Sequence, residues 1–237
     1  MAKISERIQY KSGVTYVGGT HSDNWTQYVK DGFYDVVTKT FSAFPDLLDR
    51  LYLNKTVNSS TSMDVHITSS RSSTMIKSVL VNGAPAKKIP REQKFFYEMS
   101  GSITQATLQF PVWYFDVDAA NITRIKVLPT SGVTSLTAYI LDDTFFGDID
   151  IDGTHNNGTP LYADYFPNMP EELFTLVILY ASIKAIEMEM TKVTNYIDTE
   201  EDPELAQVKL AELTTKLGIL NGEYAQAFGV AQQAGAE

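Results

Sequence analysis

The chain has 237 residues, 43% of them hydrophobic and 20% charged, and its 29 acidic and 19 basic side chains leave a net charge of −10. This is a globular composition, and the acidic balance excludes a whole-domain basic footprint for nucleic acid. There is no cysteine, which excludes disulfides, thiolate metal sites and cysteine nucleophiles.

The opening MAKISERIQYKSG has no apolar core of a signal peptide. The longest apolar run, Leu176 to Ala181, is far short of the roughly 20 residues that cross a bilayer. The expectation is a soluble protein, made in cytoplasm and without a membrane partner.

Three zones follow in chain order. In residues 1–53, Ser22, Asp23 or Asn24 offers a helix cap. Trp25, Tyr28, Val29, Phe33, Val36, Val37 and Phe41 then recur at helical steps. Phe44-Pro45 marks a boundary, and Pro45 opens a short second helix through Leu51.

Residues 54–165 read as β structure. Residues 56–74 contain 11 Ser or Thr, which fits a linker, although Val65 and Ile67 alternate as in a strand. Met75 to Val81 runs into Asn82-Gly83, a hairpin turn pair. Strands are predicted at Lys94–Met99, Ile103–Phe110, Val112–Phe115, Thr123–Leu128 and Thr134–Leu141, with turns at the short spacing of a β-sandwich or small barrel. Asp142 to Pro160 reads as a long polar loop.

In residues 166–237, Met169-Pro170-Glu171-Glu172 is a helix start, with proline and acids where the first turn favours them. The predicted helix runs to about Asn195, roughly 37 Å, and its first half, Leu173 to Ala185, is apolar almost all round. Asp198 to Glu204 breaks it. A second helix carries Leu210, Leu213, Leu217, Leu220, Tyr224 and Phe228 at steps of three or four, so an antiparallel hairpin is expected. The last residues, Val230 to Glu237, read as a fraying tail.

The fold class expected is therefore α+β: a helical scaffold, formed by residues 1–53 packing with 166–237, interrupted by an inserted antiparallel β-sandwich or small barrel over 54–165. Charge follows the same division. Residues 168–237 hold 12 acids and 4 bases.

Organised chemistry is scarce. Asp148, Asp150 and Asp152 with Gly153 match the opening of a calcium loop, but Asn156 and Thr159 stand where its later ligands belong. The alternation with Ile149 and Ile151 fits a solvated acidic strand instead, so no metal is assigned. His21, His66 and His155 lack zinc spacing. Asp142-Asp143 and Asp116/Asp118 are paired acids with nothing to show that they face each other across a cleft. No catalytic residue and no cofactor is expected. Lys87, Lys88, Arg91 and Lys94, near Phe95, Phe96 and Tyr97, form a basic cluster that reads as a hairpin tip or subunit-contact patch.

The order of segments resembles the head–tail adaptor (connector, or neck-ring) proteins of tailed bacteriophages. Three stretches carry the resemblance: the aromatic helix Asn24 to Val37; the β segments Ile76 to Pro90, Pro111 to Phe115 and Ile125 to Thr130; and Met169 to Ala185 at the start of the helical hairpin. The resemblance implies a virion structural protein at the head–tail junction. It implies a homo-oligomeric ring of about twelve subunits joining the portal to a tail or neck protein, with double-stranded DNA passing through the lumen during packaging and ejection. Leu173, Phe174, Val177, Tyr180, Trp113 and Phe115 are then the candidates for oligomer or partner contacts. Glu187, Glu189, Glu200 and Glu201 are the acidic candidates for the channel, where they would repel phosphates. Two competing expectations remain. One is a β-sandwich binding module of a tail or surface protein, with Trp113, Tyr114 and Phe115 as a platform for carbohydrate or receptor. The other is a hydrolase built on the acidic 142–152 loop.

Overall fold

A computed structural model of the chain describes residues 3–19, 21–43, 45–64, 76–117, 123–141, 151, 166, 168–197 and 203–234. The fold is α+β, and the chain divides into two compact units: residues 1–50 with 143–237, which are helical, and residues 51–142, which carry the strands.

The helical unit begins with α1 (Ile4–Ser12), an element absent from the sequence reading. Ile4, Ile8 and Ser12 recur at one-turn spacing and are buried. The Lys3 amide donates to the Glu6 carboxylate at 3.0 Å. Gly13, with φ of 71°, ends the helix and returns its N–H to the Gln9 carbonyl. Nine residues hold too few apolar positions for a periodicity to show above chance.

Next comes α2 (Ser22–Ala43). The expected cap at Ser22 to Asn24 is corrected. The first helical bond runs from the Trp25 N–H to the His21 carbonyl at 2.8 Å, and the His21 Nδ1 accepts from the Val17 N–H at 3.2 Å. His21 therefore occupies the capping position, and its ring stacks on Trp25 with centroids 5.8 Å apart. A 3-10 helix, Pro45–Leu51, follows α2.

The C-terminal pair is α4 (Glu171–Ile197) and α5 (Pro203–Ala234); α3 (Lys94–Glu98) lies in the strand-bearing unit. Pro170 receives the first α4 bond, from the Phe174 N–H at 2.9 Å. The apolar half of α4 is buried all round because α1, α2 and α5 each pack against it. Phe33 of α2, Phe166 and Phe174 of α4 meet edge to face, with centroids 5.4 to 5.7 Å apart. The α2–α4 crossing is tight at Gly32. A Cβ there would stand 3.0 Å from the Tyr180 ring and 3.2 Å from the Val177 carbonyl oxygen.

In the second unit, β1 (Tyr52–Asn58), β8 (Ser135–Leu141), β3 (Ile76–Val81) and β4 (Ala84–Pro85) form one sheet in that order. The other sheet orders β2 (Ser62–Asp64), β7 (Thr123–Leu128), β6 (Val112–Val117) and β5 (Lys87–Lys88). All pairings are antiparallel except the short β5–β6 pair. Side chains of both sheets, among them Val79, Val81, Leu136, Trp113, Ile125 and Val127, share one core, as in a β-sandwich. Val112, Tyr114 and Leu128 point the other way and pack with Ile89, Ala106 and Tyr97.

Asn82-Gly83 turns the β3–β4 hairpin with φ of 50° and 83°. The Asn82 Oδ1 accepts from the Thr134 N–H, the Thr134 hydroxyl and the Ser135 N–H at 2.7 to 3.0 Å, and its Nδ2 donates to the Gly132 carbonyl at 2.9 Å. One side chain thus ties the hairpin tip to the turn before β8.

Two predicted strands are corrected. Lys94–Glu98 is a short helix, α3, entered through a 3-10 turn at Arg91–Gln93. Pro90 starts the turn, and the Lys94–Glu98 ion pair spans one helical step at 3.3 Å. Residues 103–110 form no strand: Ser102 and Thr107 side chains bond neighbouring backbone and hold the segment in turns.

Candidate functional site

The described residues hold three surfaces fit for contact with another molecule. The first lies on α3 and the turns after it. Tyr97 is the only one of Phe95, Phe96 and Tyr97 to pack against the outer β6–β7 face. A helix of five residues has one inward side, so the inward Tyr97 sends Phe95 (64% exposed) and Phe96 (59%) outward. Met99, Ile103, Leu108 and Phe110 are exposed along the same stretch, Ile103 completely. The backbone beneath is held in place. The Ala106 N–H donates to the Tyr97 carbonyl at 3.0 Å, the Thr104 hydroxyl to the Phe96 carbonyl at 3.0 Å, and the Gly101 N–H to the Gln105 Oε1 at 3.0 Å.

Cations flank this surface. Lys94 lies over the Tyr114 ring at 5.9 Å on this face, whereas Lys88 lies over the Trp113 and Phe115 rings, at 5.3 and 5.2 Å, on the opposite face of β6. Arg91 pairs with Asp116 at 2.8 Å, and Lys126 holds the other oxygen of the same carboxylate. The Lys126 hydrogen bond, with the Arg91 charge adding to it, keeps the Asp116 carboxyl below its ordinary range. Asp116 is thus a structural anion rather than a proton donor.

The second surface is an open groove of about 670 Å³ between α1 and α4. Its floor is Thr175, Ile178 and Leu179, and its wall is Glu6, Arg7, Tyr10 and Lys11. Ile178 and Leu179 are largely covered, whereas Tyr10 stands 87% exposed at the edge. Arg7 is fixed to Glu171 at 3.2 Å and lies over the Phe174 ring at 5.0 Å. Lys11 pairs with Glu223 of α5 at 3.0 Å.

The third surface is the outer face of α5. Among the described side chains of this 32-residue helix only Leu213 and Leu220 are buried. Leu205, Val208 and Ile219 stand in solvent, and a Cβ at Gly218, Gly222 or Gly229 would meet nothing within 4 Å.

Sequence-predicted site residues fall as follows. Leu173, Phe174, Val177 and Trp113 are buried in the chain's own cores, which corrects their reading as contact residues: the neighbours expected from another subunit are supplied by α1, α2 and the facing sheet. Tyr180 is half-buried against Gly32, with Lys184 over its ring at 5.8 Å. Phe115 is half-buried edge to face on Trp113. With Trp113 and Tyr114 both buried, the aromatic platform expected for carbohydrate is not presented.

Glu187 is half-buried and pairs with Lys184 at 2.7 Å. Glu189 binds Lys209 of α5 at 2.7 Å and approaches Lys192 at 3.8 Å. Burial raises the Glu189 carboxyl, but Lys209 and then Lys192 outweigh it, and the net shift is downward. Glu189 is a clamp between helices, not a free channel acid. Glu200, Glu201, Asp148, Asp150, Asp152, Asp142, Asp143 and His155 lie outside the described residues. Among the described residues no group of three or more His, Asp or Glu side chains could hold a metal ion, and no helix is long and apolar enough to cross a membrane.

Charge divides sharply between the units. Residues 51–142 carry nine basic and six acidic side chains, and the remainder ten basic and 23 acidic. The strand-bearing unit is thus +3 and the helical unit −13. In comparisons with known proteins, no family model matches the chain, and no curated protein matches it.

Proposed function

We propose that the protein is a structural adaptor of a tailed-phage virion: a ring-forming subunit that joins the portal to a tail component and lets double-stranded DNA pass. The observation that carries this reading is the outer face of α5. Leu213 and Leu220 are buried, and Leu210, Leu217, Tyr224 and Phe228 half-buried, along one side of α5, which leaves the other side of a 32-residue helix uncovered, whereas helices in proteins owe most of their stability to packing. Three glycines weaken it further, by about 1 kcal/mol each relative to alanine. Such a helix is completed by neighbours that cover Val208 and Ile219 and approach closely at the glycines.

The charge of the helical unit supports the same reading. A net −13 disfavours tight phosphate binding, as a passage for DNA requires. Chemistry has no part in the proposed mechanism; the work is docking and electrostatic repulsion.

The test is cosedimentation with the purified portal ring, at several salt concentrations, followed by electron microscopy of the pelleted complex. The expected result is a closed ring of this protein on one end of the portal. No complex at any salt concentration refutes the proposal.

A further inference from the structure

We infer that His21 is a proton-operated latch: its neutral ring holds the connector between α1 and α2 against the helices, and its protonated ring releases that connector while the rest of the helical unit stays folded. The inference is independent of the adaptor reading.

The connector, residues 13–19, has no helix or strand of its own. Within it Val14 is buried, Tyr16 is half-buried and the other residues are exposed. Its first half is tied to α1. The Val14 N–H donates to the Ser12 hydroxyl at 3.1 Å, and the Tyr16 N–H to the Gln9 Oε1 at 2.9 Å. Its second half is tied to His21, whose ring Nδ1 accepts from the Val17 N–H at 3.2 Å. That ring is 6% exposed and stacks on Trp25, and Tyr16 packs on the same indole with centroids 4.8 Å apart. The fastening of a segment with so few buried side chains therefore depends on one imidazole.

Ring chemistry makes this fastening depend on one proton. A neutral imidazole keeps one lone pair in its plane, and an imidazolium keeps none. Two N–H donors approach the ring: Val17 at Nδ1, and the Lys192 ammonium of α4 at Nε2, 3.0 Å away. The neutral ring can accept from one of them. The charged ring can accept from neither, and it sets a second cation beside Lys192 in a covered site.

The groups around the ring act in both directions. Burial and Lys192 oppose the imidazolium, whereas Glu189 of α4 and the Thr15 carbonyl of the connector favour it. Glu189 is already engaged, at 2.7 Å with Lys209 of α5 and at 3.8 Å with Lys192. The balance lies with the neutral ring, so acid drives the ring out of its site and the connector with it. The helices keep their own packing: α1 lies against α4 with Ile4 and Ile8 buried.

The test is an NMR titration of the whole ¹⁵N-labelled protein from about pH 7.5 to about pH 4.5, read at the His21 ring, the Val17 amide and the two indole N–H groups. Trp25 lies in the helical unit and Trp113 in the strand-bearing unit, so the second indole is an internal control. The expected result is that the Trp25 indole and Val17 amide signals move together with His21 protonation, at a midpoint below the ordinary histidine value. Exchange of the Val17 amide should rise by about tenfold or more beyond its intrinsic pH dependence, while Trp113 and far-UV circular dichroism stay unchanged. His21→Gln, which has no ionising ring, should show no such transition. Lys192→Met should raise the midpoint by about half a pH unit or more. The Lys192 side chain is 39% exposed, so this variant keeps the fold and tests the latch even where His21→Gln is unstable.

Protonation of His21 with Val17 exchange unchanged means that Glu189 or the Thr15 carbonyl retains the charged ring, and it overturns the latch. Loss of the Trp113 signal or of dichroism at the same midpoint overturns it as well, since the opening is then global. So does an acid transition at Trp25 that persists in His21→Gln, or a midpoint that fails to rise in Lys192→Met.

Discussion

Replacing Tyr224 with phenylalanine tests how α5 is held to the rest of the helical unit. The Tyr224 hydroxyl donates to the Asp35 Oδ2 at 2.7 Å, reaching from α5 to α2, and the same oxygen receives Lys39 at 2.6 Å. Lys39 also lies over the Tyr224 ring at 5.1 Å. A hydrogen bond to a charged acceptor contributes about 1.5–3 kcal/mol. Asp35 is 29% exposed and keeps Lys39 when the hydroxyl is removed, so water and the ammonium compensate in part, and about 1–1.5 kcal/mol is the expected loss. In a unit of about 150 residues that lowers Tm by roughly 2–5 °C. Because α5 buries few side chains, it should open locally, and amide exchange along α5 should accelerate about 5–10-fold. The double cycle with Asp35→Asn isolates the pair. Alkaline pH offers a second check. Burial first, then the bond to Asp35, raises the phenol pKa above its ordinary value. The corresponding stability is complete below pH 10 and lost above it as the phenol is forced to ionise; Tyr224→Phe should lack that loss. Unchanged α5 exchange in Tyr224→Phe, with no coupling to Asp35→Asn, would refute the reasoning.

Asn82→Ala removes all four side-chain bonds at the hairpin tip and leaves a non-glycine residue at positive φ; urea unfolding should show the strand-bearing unit less stable by about 2–3 kcal/mol. Gly32→Ala forces a Cβ against the Val177 carbonyl and Tyr180. Overpacking should exceed the gain in helix propensity, for a net loss of about 1–2 kcal/mol by the same measurement. His21 titrates below its ordinary value, mainly through burial and then through Lys192, whose Nζ is 3.0 Å from its Nε2. The neutral ring therefore adds stability that is complete above about pH 6.5 and falls away as pH drops toward the lowered pKa. NMR titration of His21, with thermal melts of His21→Gln as the pH-insensitive control, checks the sign.

The helical scaffold and its β insertion were legible because long apolar periodicities survive tertiary context. Leu173 to Ala185 reads as a helix covered on all sides, and α1, α2 and α5 provide the cover. Asn82-Gly83 reads as a hairpin turn and is one. The failures lie where local chemistry competes with periodicity. Lys94–Met99 has the aromatic content of a strand, but Pro90 and the one-turn spacing of Lys94 and Glu98 favour a helix. His21 sits at the start of α2, where its carbonyl takes the first helical bond, while its ring nitrogen accepts from the Val17 N–H ahead of the helix, a position that cap statistics assign to smaller side chains.

The candidate surfaces were less legible, for a reason that the two aromatic runs make plain. Phe95-Phe96-Tyr97 and Trp113-Tyr114-Phe115 look alike as sequence. In β6 successive side chains take opposite faces of the sheet, and both faces are covered: Trp113 enters the sandwich core, and Tyr114 packs under residues 89–106. In α3 only one face is covered, and Tyr97 takes it. The run that reads as a binding platform is therefore core, and the run that reads as a strand presents two phenyl rings to water. An exposed pair of this kind is informative because its backbone is fixed. On a loose loop the rings could fold back onto the chain, whereas on a pinned helix they remain in solvent until a partner covers them.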